Sequence, residues 1–334
     1  MIACLRRAGV EVVERHEPVW EGDDSAWRAG AGAAARLLRA EARLLRRGPE
    51  GGFDVVLVGY PGHVDVPAAR RAAGGAPVVF NPLVSLWDTF VGDRGRFGPR
   101  SLAARALLRL DRAALRGVDL VVADTEAGAA FLARLAGLPR ERVASVFVGA
   151  EERLFEPPWV PREPPVFVGK LIPLHGLETI LEAARRRPSL RLRVVGSGQL
   201  EHLLSTRPAN VEWVPWVPYE RLPALLRAAA AALGVFGRSD KAQRVIPNKA
   251  FQALACGTPL VTADTPAARE LLVDGESALL VPPGDPDALA EALERVTSEP
   301  ETASRLAEGG LAAYRERASE EVLGARWRTL LESL

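Results

Sequence analysis

Cysteine is almost absent from these 334 residues: there are two, Cys4 and Cys256, far apart in the chain. They suit no zinc spacing, exclude a disulfide framework, and read as thiols of a reducing compartment. Long apolar runs are missing too. No 18-residue apolar span occurs and no leader precedes the first element, so the expected location is the cytoplasm. There is no charge excess either, with 43 basic and 42 acidic residues and a net +1. That balance argues against a dedicated nucleic-acid binder. Lysine is the scarcest of the charged residues. Only Lys170, Lys241 and Lys249 occur among the 43 basic residues, and all three stand beside turns suited to phosphate. A compact ammonium is a different phosphate partner from a guanidinium, although coincidence in an arginine-rich chain stays open.

What is present is ample apolar material: 48% of the residues are hydrophobic, enough for two cores, and the length suits two domains. The stretch Leu233 to Leu272, LGVFGRSDKAQRVIPNKAFQALACGTPLVTADTPAARELL, organises the chain. It reads as strand, polar loop, short helix, turn, strand and helix. Pro247 and Asn248 open the short helix, with Asn248 as its N-cap, and Gly257 closes it. A helix start offers free N–H groups and a positive dipole end, and here Lys241, Arg244 and Lys249 stand beside it. An ordinary βαβ unit with a solvated basic loop fits the same pattern.

Taken in order, the chain opens on a helix from Met1 to Ala8, then a short strand Val10 to Glu14. A long helix capped by Asp24 or Ser25 runs to about Arg47. Strand Phe53 to Gly59 is followed by a helix to Ala73 and strand Ala76 to Asn81. The loop PLVSLWDTFVGDRGRFG is long, aromatic and charged, as active-site loops tend to be; its Asp93-Arg94 pair reads as a loop salt bridge. Helix Ser101 to Arg116, strand Val118 to Ala123, helix Thr125 to Ala136 and strand Val143 to Val148 complete this half. Such βα alternation predicts a parallel sheet covered on both faces. In doubly wound domains the first strand lies mid-sheet, and this half begins one helix too late to supply it. Loss of that strand would leave unpaired ladder groups, so the expectation is a longer reading frame or another segment filling the gap.

The run EPPWVPREPP, Glu156 to Pro165, carries five prolines in ten residues and reads as a stiff linker. The expected organisation is a first domain over 1–156, a linker over 157–165, a second domain over 166–316, and a final helix over 317–334. In the second domain, strand Val166 to Val168 leads into GKLIPLHG and helix Leu177 to Arg187. Strand Leu190 to Val195 ends in GSGQL, expected to open a helix, and strand Val211 to Trp216 ends in VPYERLPALL. After the 233–272 stretch come strand Ala278 to Val281 and a helix capped at Asp285. The final helix, Ser319 to Ser333, carries Val322, Trp327, Leu330 and Leu331 at helical spacing, a stripe expected to pack back on the first domain.

The second half resembles the donor domain of a GT-B glycosyltransferase, close to the large retaining family 4 group. The likeness rests on FVGKLIPLHGLETILEAA, VVGSGQL, IPNKAFQALACGTPLV and ADTPAARELLVDGESALLVPPGDPDALAEAL, in matching order from Phe167 to Leu293. The first half is similar to the acceptor domain more loosely, through GYPGHVDVP, VVFNPLVSLWDTFVGDRG, DLVVADTEAGAAFL and VGAEERLF. The implied fold class is α/β, two Rossmann-like doubly wound domains facing a cleft, the first without its first strand. The implied function is transfer of a sugar from a nucleoside-diphosphate sugar to a saccharide, lipid-linked or small-molecule acceptor, with retention and no metal. The nucleotide sugar is a substrate, and no cofactor is implied.

By the same resemblance Lys170 and His175 take the diphosphate positions, joined by Lys241, Arg244, Asn248 and Lys249. Fixed cations there stabilise a leaving group that gains charge; His175 would help when protonated or as a donor. Gly169, Gly196 and Gly198 would let the backbone approach the donor, and Val217 and Pro218 would border the nucleobase. Two glutamates eight positions apart are common in the family. Arg244 and Gln252 stand at those positions here, and Gln252 is left to meet the ribose without charge. His63 and Asp88 lie on loops where acceptor and sugar would meet, and are the candidate catalytic residues. Residues 92–116 hold seven arginines and two aspartates, and Arg36, Arg39, Arg43 and Arg46/Arg47 line the long first helix. Peripheral contact with the inner membrane face is one reading of these faces and solvated arginines the other. Competing functions are a non-catalytic GT-B subunit and, further off, a sugar-nucleotide epimerase.

Overall fold

The computed structural model describes residues 1–17, 19, 31–46 and 52–334. The first half contains α1 (Ile2–Arg7), α2 (Ala31–Arg46), β1 (Val56–Val58), α3 (Val66–Ala73), β2 (Val78–Phe80), α4 (Leu102–Arg116), β3 (Leu120–Ala123), α5 (Glu126–Ala136) and β4 (Val143–Ser145). The predicted cap at Asp24 or Ser25, and Arg47, lie outside the described residues. The helix starts follow local chemistry. The hydroxyls of Ser101 and Thr125 accept from the Ala104 and Gly128 amides to cap α4 and α5, satisfying donors that a first helical turn leaves free.

The strands form one uninterrupted parallel sheet, β1-β2-β3-β4, with Val56 opposite Val78, Val79 opposite Leu120 and Val121 opposite Val143. Val10 to Glu14 is not the expected strand. It carries no ladder; instead Val10 and Val12 lend their side chains to the core. β2 and β3 are buried throughout, as a parallel sheet covered on both faces requires. On one face Val58, Phe80 and Val121 meet Val66, Leu115 and Leu132.

The second half contains β5 (Val166–Val168), α6 (Leu177–Arg186), β6 (Leu192–Val195), β7 (Val211–Val214), α7 (Leu222–Ala228), β8 (Ala232–Leu233), α8 (Asn248–Ala255), β9 (Leu260–Ala263), α9 (Pro266–Arg269), β10 (Leu279–Val281), α10 (Pro286–Ser298), α11 (Pro300–Arg317) and α12 (Glu320–Glu332). The segment after GSGQL forms a 3-10 turn, Glu201–Thr206, in place of the expected α-helix. Helix α11 has no counterpart in the sequence reading. Its Gly309-Gly310 pair looks like a breaker, yet it lets the helix lie against the backbone of Glu276 and Ser277. The Pro-rich run does not hang free: Val160 N–H donates to Arg227 O at 2.9 Å and Trp159 Nε1–H to Ala229 O at 2.7 Å.

The sheet order is β10-β9-β8-β5-β6-β7, all parallel. The strand order reverses between β5 and β8, and open α/β sheets place ligands outside the carboxyl ends at such a switch point. Finally α12 returns to the first sheet. Leu323 and Trp327, rather than Val322, meet Cys4, Leu5, Val79, Leu120 and Val122 on the face opposite α3–α5. Burying an indole there is worth roughly 3–5 kcal/mol.

Candidate functional site

The site is built from the loops that leave the carboxyl ends of β5 and β8, roofed by the loop after β2. After β5 comes the turn through Gly169 and Lys170, closed by a 3-10 turn Pro173–His175. His175 Nδ1–H donates to the Lys170 carbonyl. That bond fixes the tautomer and leaves Nε2 with a lone pair, unable to donate to phosphate. Burial, then the neighbouring Lys249, drive the His175 pKa well below its usual value of 6.5, so in this state His175 holds the turn as a neutral ring. Lys170 keeps its side chain exposed.

Lys249 is the unusual member. Its Nζ sits 3.5 Å from the Phe167 ring centroid and 3.4 Å from the Gly234 carbonyl. No acidic partner lies in ion-pair range among the described residues, and burial alone drives its pKa well below 10.5. A Cβ on Gly169 would come within 3.1 Å of this ammonium, so the bare glycine is what lets Lys249 lie against the turn after β5. Gly196 and Gly198 do pack backbone on backbone, a Cβ on the first colliding with the Gly169 carbonyl and on the second approaching Leu171 O to 2.8 Å. Their φ angles of 141° and 151° are open to glycine and strained for other residues.

Helix α8 corrects one expectation. Asn248 is the first residue inside the helix, and Pro247 occupies the N-cap without a side-chain cap bond. The start therefore keeps its amides uncapped by a side chain, which suits an anion. Further along α8, Gln252 is half-buried beside the Tyr219 hydroxyl. Val217 is half-buried against the core and Pro218 is exposed at the head of the Tyr219–Arg221 turn.

Across the cleft, Asp88–Asp93 forms a π-type helical turn inside the loop expected to be irregular. It is anchored by Asp111, which accepts from Ser85 Oγ at 2.6 Å and from the Leu86 and Trp87 amides at 2.9 Å. His63 lies beside this anchor. It is 2% exposed, with Nε2 3.3 Å from Asp111 Oδ1 but off hydrogen-bond geometry, and its ring stands edge-on to Phe80. The structure thus places His63 in the core and not on the cleft. Asp88 does reach the cleft, where Arg244 Nη2 donates to both its oxygens at 2.9 and 3.0 Å.

Four more contacts latch the halves. Lys241 Nζ donates to Thr89 Oγ1 at 2.7 Å, Thr125 Oγ1 to the Arg244 carbonyl at 2.5 Å, and Gln199 Nε2 to the Arg94 carbonyl at 3.2 Å. Glu270 accepts from the Glu126 and Ala127 amides at 2.7 and 2.8 Å, so a carboxylate of one half caps helix α5 of the other. The Arg244 guanidinium lies 3.9 Å from the Phe131 ring centroid. Only a small pocket of about 20 Å³ remains here, lined by Ser85, Asp88, Asp124, Phe131, Lys241 and Arg244. Asp124 is raised from 3.8 to about 7, by burial first. The sequence reading missed Thr89, Asp111, Asp124 and Glu270, because their partners lie on segments remote in the chain and show only after folding.

Comparison with known proteins follows the two halves. Residues 162–312 match the family described as glycosyl transferases group 1, and residues 1–149 a glycosyl transferase 4-like domain. A D-inositol 3-phosphate glycosyltransferase of Frankia alni is 31% identical over 83% of this chain and 72% of its own length. A lipopolysaccharide core biosynthesis glycosyltransferase, LpsE, of Rhizobium meliloti is 28% identical over 65% of each. Among solved structures, Anabaena Alr3699/HepE in complex with UDP shares the fold with a TM-score of 0.69 at 17% identity, over 90% of this chain and 84% of that one. Sucrose-phosphate synthase of Thermosynechococcus elongatus gives 0.70 at 19%, over 95% and 80%.

Proposed function

The chain belongs to the group 1 glycosyltransferases, and from that premise we propose that it moves a sugar from a nucleoside-diphosphate sugar to a saccharide, lipid-linked or small-molecule acceptor, with retention and without metal. The observation that carries the donor reading is the switch point between β5 and β8. There the Gly169-Lys170 turn, the buried Lys249 and the uncapped start of α8 converge. A departing nucleoside diphosphate gains negative charge, and cations plus helix amides fixed in a desolvated cleft stabilise it without reorganising. Lys170 and Lys249 flank the phosphates in this reading, while Lys241 and Arg244 reach them once Thr89 and Asp88 release their hold. The departing phosphate takes the acceptor proton on the face it leaves, and the protein contributes position and field. No cofactor is invoked.

The solved HepE structures hold UDP and UDP-glucose, which makes uridine nucleotides the first probes. Scanning fluorimetry of the chain against a nucleotide-sugar panel tests the proposal. A rise in Tm with at least one donor supports it, and silence across the panel favours a non-catalytic GT-B subunit. That second reading draws on Arg244 and Gln252, which stand where the family commonly has carboxylates. On the acceptor side, both acids of residues 92–116 are buried, Asp93 and Asp111 at 6% and 0% exposure, so the exposed charge of that segment is all positive. This favours an acceptor presented at an anionic membrane face; no sedimentation with anionic liposomes at low salt would remove that part. No helix among the described residues is long and apolar enough to cross a membrane.

A further inference from the structure

The end of the turn 88–93 carries a charge that the closed molecule does not answer. Asp93 is 6% exposed, and both its oxygens are shut off from solvent without accepting a hydrogen bond. It is not the loop salt bridge its neighbour suggests. Arg94 Nε is itself buried without an acceptor, and its guanidinium lies 5.6 Å from the Phe90 ring centroid. The Lys241 ammonium draws on Asp93 electrostatically but gives its hydrogen bond to Thr89. Burial raises the Asp93 pKa against the pull of Lys241, Arg94 and the Leu174 amide, and Asp88 adds to the rise. A buried carboxylate that is drawn on by these groups yet takes no well-formed hydrogen bond keeps acceptor capacity to offer a ligand.

The position of Asp93 says which ligand. Its turn is pressed against two loops of the second half: the 173–175 turn after β5, through Leu174, and the GSGQ turn after β6, through the bond from Gln199 to the Arg94 carbonyl. Those loops flank the Gly169-Lys170 turn proposed to bind phosphate, and the Lys241 ammonium stands close enough to Asp93 to draw on it. Phosphate would be repelled by a carboxylate, whereas sugar hydroxyls are donors, and a carboxylate is an acceptor with two oxygens able to span a diol.

We propose that Asp93 accepts hydrogen bonds from hydroxyls of the transferred sugar, and so selects neutral, hydroxyl-bearing sugars over uronic or phosphorylated ones. The proposal rests on the nucleotide-sugar reading above. Asp93 is then a donor-specificity residue, uncovered for the sugar when the contacts of Thr89, Asp88 and Arg94 across the cleft are released.

The test is isothermal titration of the full chain, and of Asp93→Asn and Asp93→Ala, with two pairs: UDP and UDP-glucose, and GDP and GDP-mannose. Each pair differs only by the sugar. In the pair the wild type binds, the variants should keep nucleoside-diphosphate affinity within about twofold. Their affinity for the sugar-bearing member relative to the bare nucleotide should fall about tenfold or more, the scale of one charge-assisted hydrogen bond. Thermal unfolding supplies the control: removing an unanswered buried charge leaves the Tm of Asp93→Asn unchanged or raised. An unchanged ratio in both variants overturns the assignment while leaving the donor reading intact. A Tm drop of Asp93→Asn beyond about 5 °C also overturns it, since the carboxylate would then be stabilising the fold. A wild type that binds neither these pairs nor any other member of the nucleotide-sugar panel overturns the donor reading, and this inference with it.

Discussion

Breaking the ion pair between Asp88 and Arg244 should cost more than its two hydrogen bonds suggest. Arg244 Nη2 reaches both oxygens of Asp88 at 2.9 and 3.0 Å, and the side chains are 15% and 10% exposed. With charge centres about 4 Å apart and an effective dielectric near 20, the Coulomb attraction is about 4 kcal/mol. Desolvation takes back a large part, leaving a coupling of about 1–2 kcal/mol, above the 0.2–1 kcal/mol of exposed pairs. Asp88→Asn and Arg244→Gln each strand the opposite charge in a closed cleft, so each single variant should lose about 2–3 kcal/mol. The double variant should lose less than the sum. The assay is a double-mutant cycle on thermal unfolding, with small-angle scattering to follow the separation of the halves. The single variants should show an enlarged radius of gyration, because this pair joins one half to the other. Additivity within about 0.3 kcal/mol, with unchanged scattering, would refute the latch.

Other outcomes follow from the buried charges. Lys249 is depressed by burial, so it gives up its proton easily when the cleft is empty and regains it beside a diphosphate. UDP binding should then take up a proton, and affinity should fall as pH rises through the depressed pKa, while Lys249→Met abolishes the uptake. Titration calorimetry in buffers of different ionisation enthalpy reads this directly, and observed heats that do not change with the buffer would contradict it. Asp124 is an acid whose folded pKa is raised, from 3.8 to about 7, so folding binds a proton between those values. Its contribution favours the fold below about pH 4 and is lost as pH rises toward 7, by up to about 4 kcal/mol at 1.36 kcal/mol per pKa unit. Asp124→Asn should therefore unfold at a higher temperature than wild type at pH 8, and the gain should shrink toward pH 5. A constant difference across that range would assign the effect to packing.

Much of the molecule could be read from local residues. The βα alternation, the helix starts at Ser101 and Thr125, the cap at Asp285, the proline run and the contiguous motifs around Lys170, Gly196 and Asn248 depend on neighbours a few positions apart, which is where sequence patterns speak. The same locality misled at Val10 to Glu14, where strand-like residues give their side chains to the core and form no ladder. Tertiary structure alone decided the rest. The bonds from Arg244 to Asp88, 156 positions apart, and from Lys241 to Thr89, 152 apart, have no trace in either segment's pattern. The same is true of the tautomer of His175, the retreat of His63 into the core and the isolation of Asp93. Each depends on which groups folding desolvates and which partners it leaves within reach, and both are properties of the packed interior, set by contacts between segments that are remote in the chain.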